Sequence, residues 1–311
     1  MATAETQQLD EIIVSSRRRL LTLGGTALAG LAVAGATKAF AQSTVTDADI
    51  LNFALNLEYL EAQFYSYATT GAGIDANGGV ITSGSGTAGG TVTIKSNAKV
   101  PFTNPTIMSY AMEVAAEEAK HVKFLQTALG SASVAMPNID LMNSFNGLAS
   151  YAGLGSSFDP FASDVNFLLG SFIFEDVGVT AYQGAAPLLM NATYLDAAAG
   201  IMATEAYHAG MIRTTLYGLD AATPSAGINK TASAIAAARA KLDGTGNDDI
   251  GLGTVNVTLN GAASGMASTL VDADSNSMTF SRSTTQVLAI VYAGGTGKGG
   301  FYPAGMNGTI K

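Results

Sequence analysis

Both histidines of this 311-residue chain stand in the same local frame, Glu118-Ala119-Lys120-His121 and Glu205-Ala206-Tyr207-His208. On a helix, residues three apart differ by about 60° around the axis and about 4.5 Å along it. A glutamate and a histidine so spaced can grip one ion, or two adjacent ions, from a single face. One such motif arises often by chance. Two of them, using every histidine and falling on alternate helical segments, demand a fold that turns two helices toward a shared interior.

Four segments carry strong helical patterning. The first spans about 46–69, opened by Thr46 with Asp49 three residues on and carrying Ile50, Phe53, Leu57, Leu60 and Phe64 at helical spacing. The second starts at Asn104-Pro105 and runs through Met108, Met112, Ala115, Ala119, Val122 and Leu125 to a stop at Gly130. Its methionines, with Met202 and Met211, read as core packing rather than as a copper-binding set. A third helix, about 163–183, is apolar on nearly all sides, and a fourth runs from about Asn191 to Tyr217 with a stop at Gly218. Residues 70–103 are rich in Gly and Thr with β-like pieces near 79–83 and 91–95, and are expected to form a projecting hairpin. Residues 131–162 form a long crossover. Residues 219–311 are expected to wrap the bundle, with helices near 230–242 and 283–292 and short strands near 254–259. The acidic loop Asn247-Asp248-Asp249 has calcium-ligand chemistry but, standing alone, is not expected to be a calcium site.

The helices without histidine supply the complement. Glu58 lies in Leu57-Glu58-Tyr59-Leu60 and Glu175 in Phe172-Ile173-Phe174-Glu175, and neither helix has a Lys or Arg to pair with its glutamate. A buried, unpaired carboxylate costs several kcal/mol or takes up a proton. Two divalent cations would neutralise the four glutamates. The chain also repeats internally. Sliding Glu58 onto Glu175 places Tyr65 on Tyr182, and sliding Glu118 onto Glu205 places His121 on His208, Leu125 on Ile212 and Leu129 on Leu216. Helical phase cannot choose between Glu58 and Glu61, but the repeat puts Glu61 on Gly178, which has no side chain, and so favours Glu58. Glu61, Glu113, Glu117 and Asp176 are expected in solvent or behind the ligands.

These motifs, within NFALNLEYLEAQFY, EEAKHVKFL and ATEAYHAGMI, resemble the ferritin-like superfamily of carboxylate-bridged di-metal bundles. In detail the chain is similar to exported ferritin-like proteins that include the desiccation-related group. The likeness implies an all-α ferritin-like four-helix bundle over 46–218, carrying the 70–103 insertion and a mixed C-terminal extension. It implies two transition-metal ions, iron or manganese, held by Glu58, Glu118, His121, Glu175, Glu205 and His208, with Glu118 and Glu205 bridging. Tyr65 and Tyr182 match tyrosine positions beside the metals. The insertion and the tail after residue 218 depart from cage-forming ferritins, so a storage shell is not expected, although a homo-oligomer stays open.

Composition narrows the function. With no cysteine there is no disulfide framework, thiolate metal site or cysteine nucleophile. Fifteen basic against 24 acidic residues, net −9, leave no basic stripe for nucleic acid. Residues 1–41 read as a secretory leader. Arg17-Arg18-Arg19 precede an apolar run and Ala39-Phe40-Ala41 ends it, a pattern resembling twin-arginine signals, with membrane attachment only if the leader is not cleaved. The expected partners are small oxidants or metal ions outside the cytoplasm. Two functions follow: redox chemistry on oxygen, peroxide or ferrous iron, of a ferroxidase-like or manganese-catalase-like kind, or a non-catalytic stress or desiccation-related envelope protein whose metals are structural.

Overall fold

The computed structural model describes residues 45–76, 79–258 and 265–311. The leader, with its arginines and cleavage site, lies outside the described residues. Four long helices form the bundle: α1 (Asp47–Thr70), α2 (Pro105–Leu129), α4 (Asp164–Ala185) and α5 (Ala192–Ala222). Each begins on a side-chain cap. Thr46 and Asp49 bond reciprocally at the head of α1, Asn104 accepts from Thr106 and Ile107, Ser163 from Asn166, and Asn191 from Thr193 and Tyr194. At the far end of α1, Gly71 takes the left-handed conformation at φ 84° and stops the helix. Helix α5 continues beyond the expected stop at Gly218 to Ala222. A helical glycine weakens a helix but does not end it unless the next residues favour leaving, and Leu219-Asp220-Ala221-Ala222 do not.

Helix α1 packs chiefly along α2, and α4 along α5. Glu58 and Tyr65 on α1 meet Tyr182 and Glu175 on α4, so these two run antiparallel. Both are buried on nearly every side. The reason lies in the remaining chain, for α4 is covered by α6 (Ile228–Leu242) and α7 (Thr284–Val291) of the tail. Helix α2, at the edge, keeps one buried stripe: Ile107, Ala111, Val114, Glu118, His121, Val122 and Leu125. Met108 and Met112 fall one position off that stripe and are 42% and 56% exposed, contrary to the core role expected of them, whereas Met202 and Met211 do pack against the core.

The segment after α1 is not a projecting hairpin. Its strand β1 (Val92–Thr93) pairs in parallel with β2 (Ile139–Asp140) from the crossover, Val92 opposite Ile139. The backbones approach so closely that a Cβ on Gly90 would lie 2.5 Å from the Asn138 nitrogen, which requires glycine there. Insertion and crossover thus form one layer against the bundle, burying Ile74, Val80, Ala98 and Val100. The crossover also holds a short helix, α3 (Asn143–Tyr151), whose Phe145 joins Phe64, Phe161, Phe174 and Phe301 in an aromatic cluster.

In the tail, β3 (Thr254–Val257) and β4 (Gly265–Ser268) pair antiparallel. Tyr302 donates to the Asn56 carbonyl, and Arg282 N–H to the Thr180 carbonyl. Three buried arginines join tail to bundle. Arg213 and Arg239 both donate to Asp176 at 2.8 and 2.7 Å; Arg239 also takes Asp249, and Arg282 takes Asp243 and Asp249. The Arg239 guanidinium lies 4.6 Å from the centre of the Phe172 ring. Asp176, expected in solvent or behind the ligands, therefore sits with Asp249 in a buried ionic junction.

Candidate metal centre

On α2, Glu118 and His121 occupy places on the stripe where a core helix normally carries Leu or Val. On α5, Glu205 and His208 do the same between Ile201 and Ile212. The surrounding apolar residues bury that stripe and carry the charged groups inward with it. Glu58 and Glu175 arrive from α1 and α4, which are buried all round. Glu118, Glu175 and Glu205 have no exposed surface, and Glu58 has 1%.

Six side chains meet in two overlapping groups. Glu58, Glu118, His121 and Glu205 form one, and Glu118, Glu175, Glu205 and His208 the other, each offering ligand atoms within 4.8 Å of one another. Glu118 and Glu205 belong to both. His121 Nδ1 stands 3.2 Å from Glu58, 3.3 Å from Glu118 and 3.4 Å from Glu205; His208 Nδ1 stands 3.0 Å from Glu118 and 3.3 Å from Glu175. Despite this crowding, Glu118 Oε1, Glu175 Oε2, both Glu205 oxygens and His208 Nδ1 make no hydrogen bond. Buried polar atoms left so are rare in folded proteins. Lone pairs converging on common points are what a bound cation would satisfy, and an N/O donor set suits iron, manganese or zinc. The site fits metal.

The outer atoms are tied down. Tyr65 donates to Glu175 and Tyr182 donates to Glu58 at 2.5 Å, so each half of the repeat holds the other half's carboxylate. His208 Nε2 lies 2.8 Å from Glu117, and Nε2–H donation to that carboxylate leaves the Nδ1 lone pair facing the cluster.

Electrostatics without a cation are strained. Burial, then the Glu118 charge, pushes the Glu205 carboxyl far above the carboxylate range. Burial also lifts Glu118 to about 7, against the hydrogen bond with His121 and the nearby His208 ring, which lower it. Burial alone would raise Glu58, but the charge on His121 and the hydrogen bonds around it keep this carboxyl below its ordinary value. Burial likewise opposes charge on His208, and the Glu175 and Glu118 carboxylates overcome it, pushing the imidazolium up to about 12. The metal-free cluster thus keeps protons where cations would otherwise sit.

Two further carboxylates border the site. Glu117, one-third exposed, is the partner of His208; its place immediately before Glu118 was the only signal. Glu61 is 5% exposed, and burial followed by the charges of Glu205, Glu118, Glu175 and Glu58 raises its carboxyl well above the ordinary range. Glu61 fits because α4 has glycine opposite. A Cβ on Gly178 would lie 2.5 Å from Glu205 Oε2 and 3.6 Å from Glu61 Oε1. The alignment of Glu61 with Gly178 in the repeat was the legible trace of this gap. Glu113 is exposed and apart from the cluster.

Comparison with known proteins agrees with this architecture. Residues 46–218, more than half of the chain, match the ferritin-like domain family. The chain is 31% identical over 250 residues to a desiccation-related protein, PCC13-62, of Craterostigma plantagineum, covering 78% of this chain and 76% of the relative. It is 27% identical over 277 residues to a ferritin-like catalase, Nec2, of Nesocodon mauritianus, covering 85% and 84%. No solved structure matches the chain.

Proposed function

The chain belongs to the ferritin-like domain family, and from that premise we propose that its bundle holds two transition-metal ions, iron or manganese, and carries out redox chemistry on oxygen, peroxide or ferrous iron. The observation that carries this reading is the pair of overlapping donor groups sharing Glu118 and Glu205. Glu58 and His121 would complete one position, Glu175 and His208 the other. When bound, such a pair supplies two-electron chemistry to a small oxidant.

The protein's own part is positional. Tyr65 and Tyr182 fix the outer carboxylates, Glu117 fixes the His208 ring, and complete burial of the shared glutamates keeps bulk water from the donors. The named catalase relative supports turnover. A second reading, structural metals in a non-catalytic desiccation-related protein, is supported by the other relative. Export by the twin-arginine route is part of the proposal, supported by Arg17-Arg18 and the apolar run that follows.

Elemental analysis of protein purified after native export tests the metal content, with two ions per chain expected. Ferroxidase and catalase assays on separately loaded iron and manganese forms decide between the readings. Full occupancy with turnover in neither form favours structural metals, and absence of stoichiometric metal rejects both.

A further inference from the structure

Glu61 and Gly178 mark one side of the cluster, and the space beside them is apolar. A cavity of about 20 Å³ is bounded there by Leu57 and Leu60 of α1, Ile173 and Val177 of α4, and Ile290 and Val291 of α7, with Glu61 and Gly178 at its inner end. A second cavity, of about 30 Å³, shares Ile173 and Ile290 with the first and continues outward between α3, α4 and α6. It reaches the surface near Leu154, which is 38% exposed. Either space exceeds the roughly 10–15 Å³ that one water-sized molecule needs. Apart from Glu61, Arg239 is the charged residue on these walls, and its guanidinium is committed to Asp176, Asp249 and the Phe172 carbonyl.

We propose that the two cavities form one passage admitting a small uncharged molecule of the size and polarity of dioxygen, past Ile173 and Ile290, to the carboxylate cluster at Glu61 and Gly178. The inference rests on the di-metal reading above and names the side from which its substrate arrives. An ion entering these walls would lose its hydration with nothing to replace it. A small apolar molecule loses almost nothing. Ions have a different approach, the α2–α5 edge, where Glu117 is one-third exposed beside His208. The absent side chain at Gly178 matters here as well, since a Cβ would press on the Glu205 oxygen where the passage ends. Helix α7 then acts as the wall that turns a gap between α1 and α4 into a closed route.

Xenon and nitric oxide test the passage by different readouts. Crystals of the full protein pressurised with xenon should show gas on both sides of Ile173 and Ile290, whether or not metal is bound. In the iron(II)-loaded protein, nitric oxide association measured by stopped-flow absorbance should slow at least tenfold in Ile290→Phe. It should quicken in Ile290→Val, a change the fold tolerates more readily. Iron content and the rate of iron uptake should stay unchanged in both. Xenon absent from the inner cavity, or nitric oxide rates unmoved in the Val variant, overturns the passage. A protein that takes up neither iron nor manganese overturns the di-metal reading instead, while the xenon sites still decide whether the apolar route exists.

Discussion

The histidines and the glycine opposite Glu61 carry most of the chemistry at the residue scale. Replacing His208 with Ala removes the Nδ1 donor and releases Glu117, and the chain's other histidine, His121, is fixed on α2. Metal content should fall by about half or more while the far-ultraviolet circular dichroism stays helical; unchanged content would show that His208 is no ligand. Gly178→Ala places a methyl 2.5 Å from Glu205 Oε2, so that carboxylate must shift and metal affinity should drop roughly tenfold or more. Titration of the metal-free variant with iron(II) or manganese(II) checks it. That these six side chains would come together was legible in the sequence because a motif seen twice aligned the halves. The repeat set Glu61 behind Glu58, but whether it lay in solvent or in the interior could not be read, since both lie on a helix buried on every side. The phase of α2 shows a related limit. Reading Met108 and Met112 as core rotates the outer turns by one position, whereas counting Glu118 and His121 themselves as buried positions gives the observed stripe.

Elements that pack on the bundle were less legible than the bundle. Helical periodicity and caps located α1, α2, α4 and α5 and also the tail helices α6 and α7, and β1 and β3 fall in stretches expected to be β-like; what no local pattern announces is the partner, because two-residue β1 pairs across the chain with β2. The ionic junction has the same character. Arg282 reaches Asp243, Asp249 and the Thr180 hydroxyl from a distant segment, and such pairing leaves no period in the sequence. Its side chain is fully buried, so Arg282→Ala leaves the buried Asp243 carboxylate without its cation, while Asp249 keeps Arg239, and should cost about 3–5 kcal/mol. Urea denaturation would detect the loss, and a midpoint like that of the wild type would mean that water reaches the junction. The tail also crosses α4 closely. A Cβ on Gly184 would collide with the Arg282 carbonyl at 1.9 Å, so Gly184→Ala should loosen α7 and expose the Arg282 amide to hydrogen exchange.

For the whole molecule, the cluster makes stability depend on pH in opposite ways with and without metal. In the metal-free protein Glu118 binds its proton up to about pH 7 and Glu205 is likewise raised by burial and by the Glu118 charge, while unfolded glutamates release theirs near 4.5. His208, raised to about 12, keeps its proton long after an unfolded histidine has lost it near 6.5. In each case the folded state binds more protons than the unfolded one, so stability falls as pH rises through these windows. Glu58, lowered, acts in the other sense below about 4.5. The metal-free protein should therefore be most stable near pH 5 and lose on the order of a few kcal/mol by pH 8, or roughly ten degrees of melting temperature. Metal displaces those protons, so the loaded protein should not decline over that range. Differential scanning calorimetry of both forms from pH 5 to 8 checks the sign.

The crossed tyrosines bear on how such a chain can come about. Tyr65 and Tyr182 exchange partners between the two helix pairs, as do the shared glutamates, so neither pair alone contains a finished site. Two identical copies of one helix pair, related by a twofold axis, would make the same donor set. Such an assembly would carry either two glutamates or two glycines at the position where this chain has Glu61 facing Gly178. Joining the copies into one polypeptide frees the halves to differ at that spot. A one-sided entrance of the kind proposed beside Glu61 is open to a fused chain and closed to a symmetric pair.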